Sequence, residues 1–287
     1  MCDTCGCNIT PGNGHLVASG GKLSRTEDGK AAVTVLRGLL DENDLQAHHN
    51  REHFDRHGVL AVNLMSSPGS GKTALLEATI DALRHEFKLA VIEGDLETEN
   101  DAQRVRAKGV PAIQITTGSA CHLDAHMVHD ALHLLPLTGI DIVFIENVGN
   151  LVCPASFDLG HHRNVTLLSV TEGDDKPAKY PVMFRAADLM LLTKTDLLAV
   201  LDDFDPQRAE AALRQLASEA PAIRLSVRSH EGLDAWTAWL RRELSAQRQR
   251  VAQHASARPA GQPDGHRLHH RMAASARPGY VFLPAKP

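Results

Sequence analysis

The chain has 287 residues, 43% of them hydrophobic and 23% charged, with a formal net charge of −5. This balance is ordinary for a globular protein and excludes a nucleic-acid binder that works by bulk basic charge. No apolar run approaches the roughly 18 residues that span a bilayer. The polar start Met1-Cys2-Asp3-Thr4-Cys5 lacks the apolar stretch of a signal peptide, so a cytoplasmic location is expected.

Three of the 5 cysteines fall in the first seven residues, as Cys2-x-x-Cys5-Gly6-Cys7. Three thiolates that close can surround one soft ion, and Gly6 permits the tight turn between the last two. Zinc suits such a tetrahedral set, and nickel also accepts square-planar sulfur and nitrogen donors. The remainder of residues 1–57 is Gly-rich, with one short helical pattern from about Ala31 to Asn50. It reads as a flexible metal-binding region ahead of the domain.

The domain is expected over residues 58–245. Val59–Met65 is a short apolar run suited to a buried strand, and Thr73–Glu86 has helical periodicity. Between them lies Ser66-Ser67-Pro68-Gly69-Ser70-Gly71-Lys72-Thr73, close to the Walker A pattern in the required strand–turn–helix context. Pro68, Gly69, Ser70 and Gly71 would turn backbone N–H groups around a phosphate, and the helix N-terminus adds its positive dipole end. Lys72 would reach the β- and γ-phosphates, and Thr73 would place its hydroxyl on Mg²⁺. Ser66 stands where the generic pattern begins with Gly.

Further strands are expected at Lys88–Glu93, Ala112–Thr116, Ile140–Ile145, Val165–Val170, Leu189–Leu192 and Ile223–Val227. The expected helices between them are Glu99–Lys108, His122–Leu135, Pro206–Ala217 and Leu233–Ser245. This alternation predicts an α/β, doubly wound, mostly parallel sheet of the P-loop NTPase class. Ligands bind such sheets at the carboxyl ends of strands. Asp95 and Glu146 follow two of those ends and are the candidate carboxylates for Mg²⁺ and catalysis, with Lys72 and Thr73.

Cys121-His122 and Cys153 also follow strand ends and form a second candidate metal set. Alone, the two cysteines read equally well as small buried hydrophobes. His122, His126, His129 and His133 recur at helical spacing along one stripe, read either as extra metal capacity beside Cys121 or as a solvated face. After the sixth strand, Thr193-Lys194-Thr195-Asp196 resembles the Asn-Lys-x-Asp motif with which GTPases read guanine. Asp196 would accept from the base and Lys194 would lie along it, while Thr193 replaces the usual Asn. Ser226, after the last strand, sits where a second base-contacting loop falls. Residues 246–287, rich in Arg, Ala, Pro, Gly and His, are expected to be a disordered extension.

Together these segments resemble the hydrogenase nickel-incorporation GTPases of the HypB type. The resemblance also rests on Gly94-Asp95, Cys121-His122-Leu123-Asp124-Ala125, Glu146-Asn147-Val148-Gly149-Asn150-Leu151-Val152-Cys153-Pro154 and Asp175-Lys176-Pro177. It implies a SIMIBI-type G domain that hydrolyses GTP slowly with Mg²⁺ and carries Ni²⁺. Cys2, Cys5 and Cys7 would be a high-affinity nickel site. Cys121, His122 and Cys153 would hold nickel or zinc at the interface of a nucleotide-promoted homodimer. Asp95 and Glu146 would sit in the switch regions. The implied partners are a zinc-containing metallochaperone and the large-subunit precursor of a nickel-iron hydrogenase.

Overall fold

The computed structural model describes residues 30–95, 100–118, 120–216 and 218–259; for 30–39 it describes the backbone. The chain enters through a long helix, α1 (Lys30–Arg56), then strand β1 (Leu60–Met65) and helix α2 (Lys72–Leu83). Next come β2 (Leu89–Asp95), α3 (Asn100–Ala107), β3 (Ala112–Thr116), α4 (Ala125–Leu134) and β4 (Ile142–Glu146). They are followed by β5 (Arg163–Ser169), the short helices α5 (Lys176–Lys179) and α6 (Pro181–Arg185), and β6 (Leu189–Thr193). The last elements are α7 (Pro206–Gln215), β7 (Ala222–Arg224) and α8 (Leu233–Ala252).

The seven strands form one sheet in the order β3-β2-β4-β1-β5-β6-β7, and every pairing is parallel. The expected doubly wound sheet is therefore present. Period-two alternation along β1 explains how both faces are covered. Leu60, Val62 and Leu64 pack with α2 and α8 through Leu75, Leu76, Ile80, Trp236 and Leu240. Ala61 points the other way, into a cluster with Phe54 of α1 and Val128, Ala131 and Leu132 of α4. Met65 joins a third cluster with Leu168, Met183, Phe184, Leu192 and Leu213 around the β5–β6 end.

Several element bounds differ from expectation by a few residues, and one difference has a clear cause. Helix α4 begins at Ala125 rather than His122 because the Asp124 side chain caps it, accepting from Met127 N at 2.9 Å.

The largest differences lie at the two edges of the domain. The sequence reading separated residues 1–57 from the body, but from Asn43 onward α1 is packed into it. Asn43, Ala47, Asn50, Arg51 and Phe54 are buried. Arg51 donates to both oxygens of Asp158 at 2.7 and 2.8 Å. Asn50 Nδ2 donates to Ala125 O at 2.7 Å and Leu159 O at 3.2 Å. Much of the docking face of α1 is polar, so no apolar stripe announced it. Gly160 marks the same contact: at φ +87° its added Cβ would lie 2.6 Å from Ala47 O.

At the other end α8 runs past Ser245 to Ala252. Gln247 is buried and donates to Asp55 Oδ1 at 2.6 Å, tying α8 back to α1. Among the described residues no helix is long and apolar enough to cross a membrane.

Candidate functional site

The turn from β1 to α2 encloses a cavity of about 410 Å³ at the carboxyl end of the sheet. Its walls include Pro68, Gly69, Gly71, Lys72, Thr73, Glu93, Asp95, Asp101, Glu146 and Gly149. Gly69 (φ +76°) and Gly71 (φ +97°) take the left-handed conformations that let the loop curl its N–H groups inward. Lys72 is buried, and its Nζ donates to Ser66 Oγ at 3.0 Å. Desolvation pushes the Lys72 pKa down, opposed by the negative charges of Glu146, Asp101, Glu172 and Glu93. Ser66 thus gives the lysine a resting partner.

The Mg²⁺ expectation was tested on the carboxylates. Thr73 Oγ1 donates to Glu146 Oε1 at 2.8 Å, joining the two predicted groups. Among the described residues, Glu146 Oε2 and Glu93 Oε2 are buried without a hydrogen-bond donor. Burial raises the Glu146 carboxyl to about 7, with Lys72 and Thr73 pulling it back. Burial and the charge of Glu146 raise Glu93 to about 8. Orphaned oxygens and crowded acids with raised pKa values form an environment that a small hard cation relieves. The residues therefore fit Mg²⁺. Asp95 ends β2, half-buried, on the same cavity.

Two residues the sequence reading passed over complete the loop. Glu172, beyond β5, accepts from Ser70 Oγ at 2.5 Å and from Ser67 Oγ, and so ties the phosphate loop to the β5 end. Thr193 Oγ1 donates to Ser70 O at 2.7 Å, so the residue replacing Asn is a brace for the phosphate loop. Lys194 (φ +60°) donates from Nζ to Gly69 O at 2.7 Å. Ser226 Oγ donates to Asp196 Oδ1 at 2.6 Å, which orients the carboxylate expected to read the base. Lys176 lies over the Tyr180 ring, and Lys179 pairs with Asp175 at 2.5 Å.

Cys121, His122 and Cys153 come together. Their donor atoms lie within 4.8 Å of one another, and among the described residues they are the one group of three or more His, Cys, Asp or Glu arranged to hold an ion. Both cysteines are free thiols, with sulfur atoms 3.3 Å apart. His122 is buried and stacks on Phe157 with ring centroids 4.0 Å apart. Desolvation lowers its pKa to about 4, so it is neutral at pH 7, the form that ligates a metal. Among the described residues its Nε2 has no hydrogen-bond partner. Cys2, Cys5 and Cys7 lie outside the described residues.

The segment from Glu146 to Cys153 joins the two sites. Asn147 Oδ1 accepts from Leu123 N at 3.2 Å, beside His122, while its Nδ2 donates to Asn63 Oδ1 on β1 at 3.2 Å. Gly149 lies so close to the phosphate loop that a Cβ there would sit 2.9 Å from Pro68 Cα. Asn150 Nδ2 donates to Cys121 O at 3.2 Å. Cys153 follows, before the 3-10 turn Pro154–Ser156.

The expected histidine stripe splits. His122 precedes α4 and belongs to the cysteine cluster. His129 turns toward α1, donating or accepting at Asn50 Oδ1 over 3.1 Å, and meets His133 at 3.0 Å.

Residues 60–224 match the CobW/HypB/UreG nucleotide-binding domain family. The chain is 51% identical over 243 residues to hydrogenase maturation factor HypB of Azotobacter chroococcum, covering 84% of this chain and 77% of that one. It is 54% identical over 208 residues to the Escherichia coli K12 HypB, covering 72% of this chain and 71% of that one. Among solved structures, HypB from Helicobacter pylori in complex with nickel superposes with a TM-score of 0.69 at 44% identity, covering 71% of this chain and 96% of that one. HypB from Archaeoglobus fulgidus gives 0.67 at 40% identity, covering 71% and 100%.

Proposed function

The chain belongs to the HypB-type hydrogenase maturation factors of the CobW/HypB/UreG nucleotide-binding family, and from that premise we propose that it is a GTP-hydrolysing nickel metallochaperone whose nucleotide state sets its hold on the metal. The observation that carries the reading is the seven-residue path from Glu146 to Cys153. It begins on the carboxylate that meets Thr73, presses on Pro68 through Gly149, and ends on a candidate nickel ligand.

The roles follow from the geometry. The loop N–H groups and Lys72 bind the phosphates. Thr73, Glu146 and Asp95 hold Mg²⁺, which when bound bridges phosphate oxygens and neutralises developing charge. Asp196, steadied by Ser226, selects guanine, because adenine would leave its carboxylate unpaired. With the third phosphate present, the 146–153 segment is drawn to the nucleotide. Hydrolysis releases it and alters the spacing of Cys121, His122 and Cys153. Ni²⁺ is the cargo, and Zn²⁺ is a competitor that the same donors accept. A GTP-promoted homodimer, a zinc-containing metallochaperone and a hydrogenase large-subunit precursor complete the proposal. The N-terminal cysteines would be its tighter nickel store.

The test is steady-state hydrolysis of GTP and ATP side by side with Mg²⁺. Slow GTP turnover without ATP turnover, and a GTP rate that changes when Ni²⁺ fills the Cys121 site, support the reading. Equal ATP turnover overturns the guanine assignment. A GTP rate indifferent to nickel overturns the coupling.

A further inference from the structure

The histidines left over from the stripe meet a second set on α1, away from the cysteine cluster. His129 and His133 are one helical turn apart on α4, and their Nε2 atoms lie 3.0 Å from each other. His49 on α1 places its ring 5.1 Å from that of His129. His53, one turn further along α1, is near enough that its charge and those of His49, His129 and His133 act on one another.

The hydrogen-bond network fixes which nitrogen of His129 is free. Asn50 is fully buried, and its Nδ2 is committed to the carbonyls of Ala125 and Leu159. Its Oδ1 therefore faces His129 Nδ1 at 3.1 Å and can only accept, so Nδ1 carries the proton. The lone pair of His129 is on Nε2, aimed at His133. A ring N–H held by an amide carbonyl, with the opposite nitrogen free, is the arrangement that orients a metal-ligating histidine. Asn50 makes the same contact part of the joint between α1 and α4.

We propose that His129 and His133, with His49 as third imidazole, form a cysteine-free site for a late first-row divalent ion that pins α1 to α4. Imidazole nitrogen suits Ni²⁺, Cu²⁺ and Zn²⁺, and the lack of thiolate distinguishes the site from the Cys121 cluster. On binding, the Nε2 proton of His133 moves to its Nδ1, leaving both Nε2 lone pairs on the ion. The inference stands whether or not nucleotide state controls the Cys121 site.

The test uses the full chain and Ni²⁺ alone. Bound metal is counted by equilibrium dialysis at free Ni²⁺ above that saturating the cysteine sites, while near-ultraviolet thiolate-to-nickel absorption reports those sites separately. The variant is His133→Gln, an exposed side chain whose exchange spares the Asn50 joint. The expected result is one equivalent fewer bound, with thiolate absorption unchanged. An unchanged count overturns the proposal. A lower count with a matching loss of thiolate absorption overturns it too, because the histidine would then act through the cysteines. A second measurement needs no variant: imidazole nitrogen NMR should show His129 protonated on Nδ1, and Zn²⁺ added beyond the thiolate capacity should shift Nε2 of both histidines together. Resonances that stay in place refute the site.

Discussion

Replacing Gly149 by alanine tests the joint between phosphate loop and metal site at its tightest point. The new Cβ would lie 2.9 Å from both Cα and N of Pro68, and 3.1 Å from its Cγ. Carbon atoms rest at about 3.5–4.0 Å, so the segment and the loop must separate by about 0.6 Å. Two of the three atoms are backbone of the phosphate loop, which cannot swing aside as a side-chain tip would. Overpacking of this kind costs about 1–3 kcal/mol, or roughly 5- to 150-fold in an equilibrium constant. The penalty falls hardest on the state that draws the two loops together. Calorimetric titration with a non-hydrolysable GTP analogue should show affinity weakened within that range, with GDP affected less. The difference in Ni²⁺ affinity between the two nucleotide states should shrink in parallel. Unchanged affinity for the analogue would refute the reasoning, because the contact would then be incidental to nucleotide binding.

Further outcomes are expected from other parts of the molecule. Lys72→Ala should abolish GTP turnover while leaving Ni²⁺ bound at the thiolate sites, read by phosphate release and thiolate absorption; retained turnover would contradict the assignment of the phosphate loop. Arg51→Met should lower stability by about 3–5 kcal/mol, since it strands buried Asp158, and the double change with Asp158→Leu should recover much of the loss in urea unfolding. His161 is buried, and its pKa is pushed down to about 3 by desolvation, so the unfolded chain takes up a proton below about 6.5 that the folded chain refuses. Its contribution is complete above that pH and falls by ~1.4 kcal/mol per unit below it. The stability gap between wild type and His161→Gln should therefore narrow by ~2 kcal/mol from pH 7 to pH 5; a constant gap would contradict the buried neutral histidine.

What could be read in the sequence was whatever chemistry is local in the chain. Pro68 to Thr73 announce a phosphate loop because glycine, lysine and threonine are each needed within a few bonds of one another. Cys121-His122 and Cys153 could be placed on one end of the sheet because each follows a strand. What escaped was polar and long-range. Helix α1 docks through Asn43, Asn50 and Arg51, whose partners lie some hundred residues away in the chain, so hydrophobic periodicity gave no reason to attach it. Glu172 looked like a loop carboxylate until the fold brought it under Ser67 and Ser70. Thr193 read as an irregular guanine motif. Its hydroxyl on Ser70 O shows that the position serves the phosphate loop, leaving base recognition to Asp196. The histidine stripe misled for a related reason: helical spacing was right for His129 and His133, but Asp124 starts the helix after His122 and hands that residue to the cysteines.

The central claim is that nucleotide and metal share one free-energy change through residues 146–153. The most direct measurement is the Ni²⁺ dissociation constant of the Cys121/His122/Cys153 site, in full-length chain carrying Cys2→Ser, Cys5→Ser and Cys7→Ser, with a GTP analogue, with GDP and without nucleotide. The account predicts values that differ by about 5-fold or more between the analogue and GDP, mirrored by an equal effect of Ni²⁺ on nucleotide affinity. Three equal dissociation constants would contradict it.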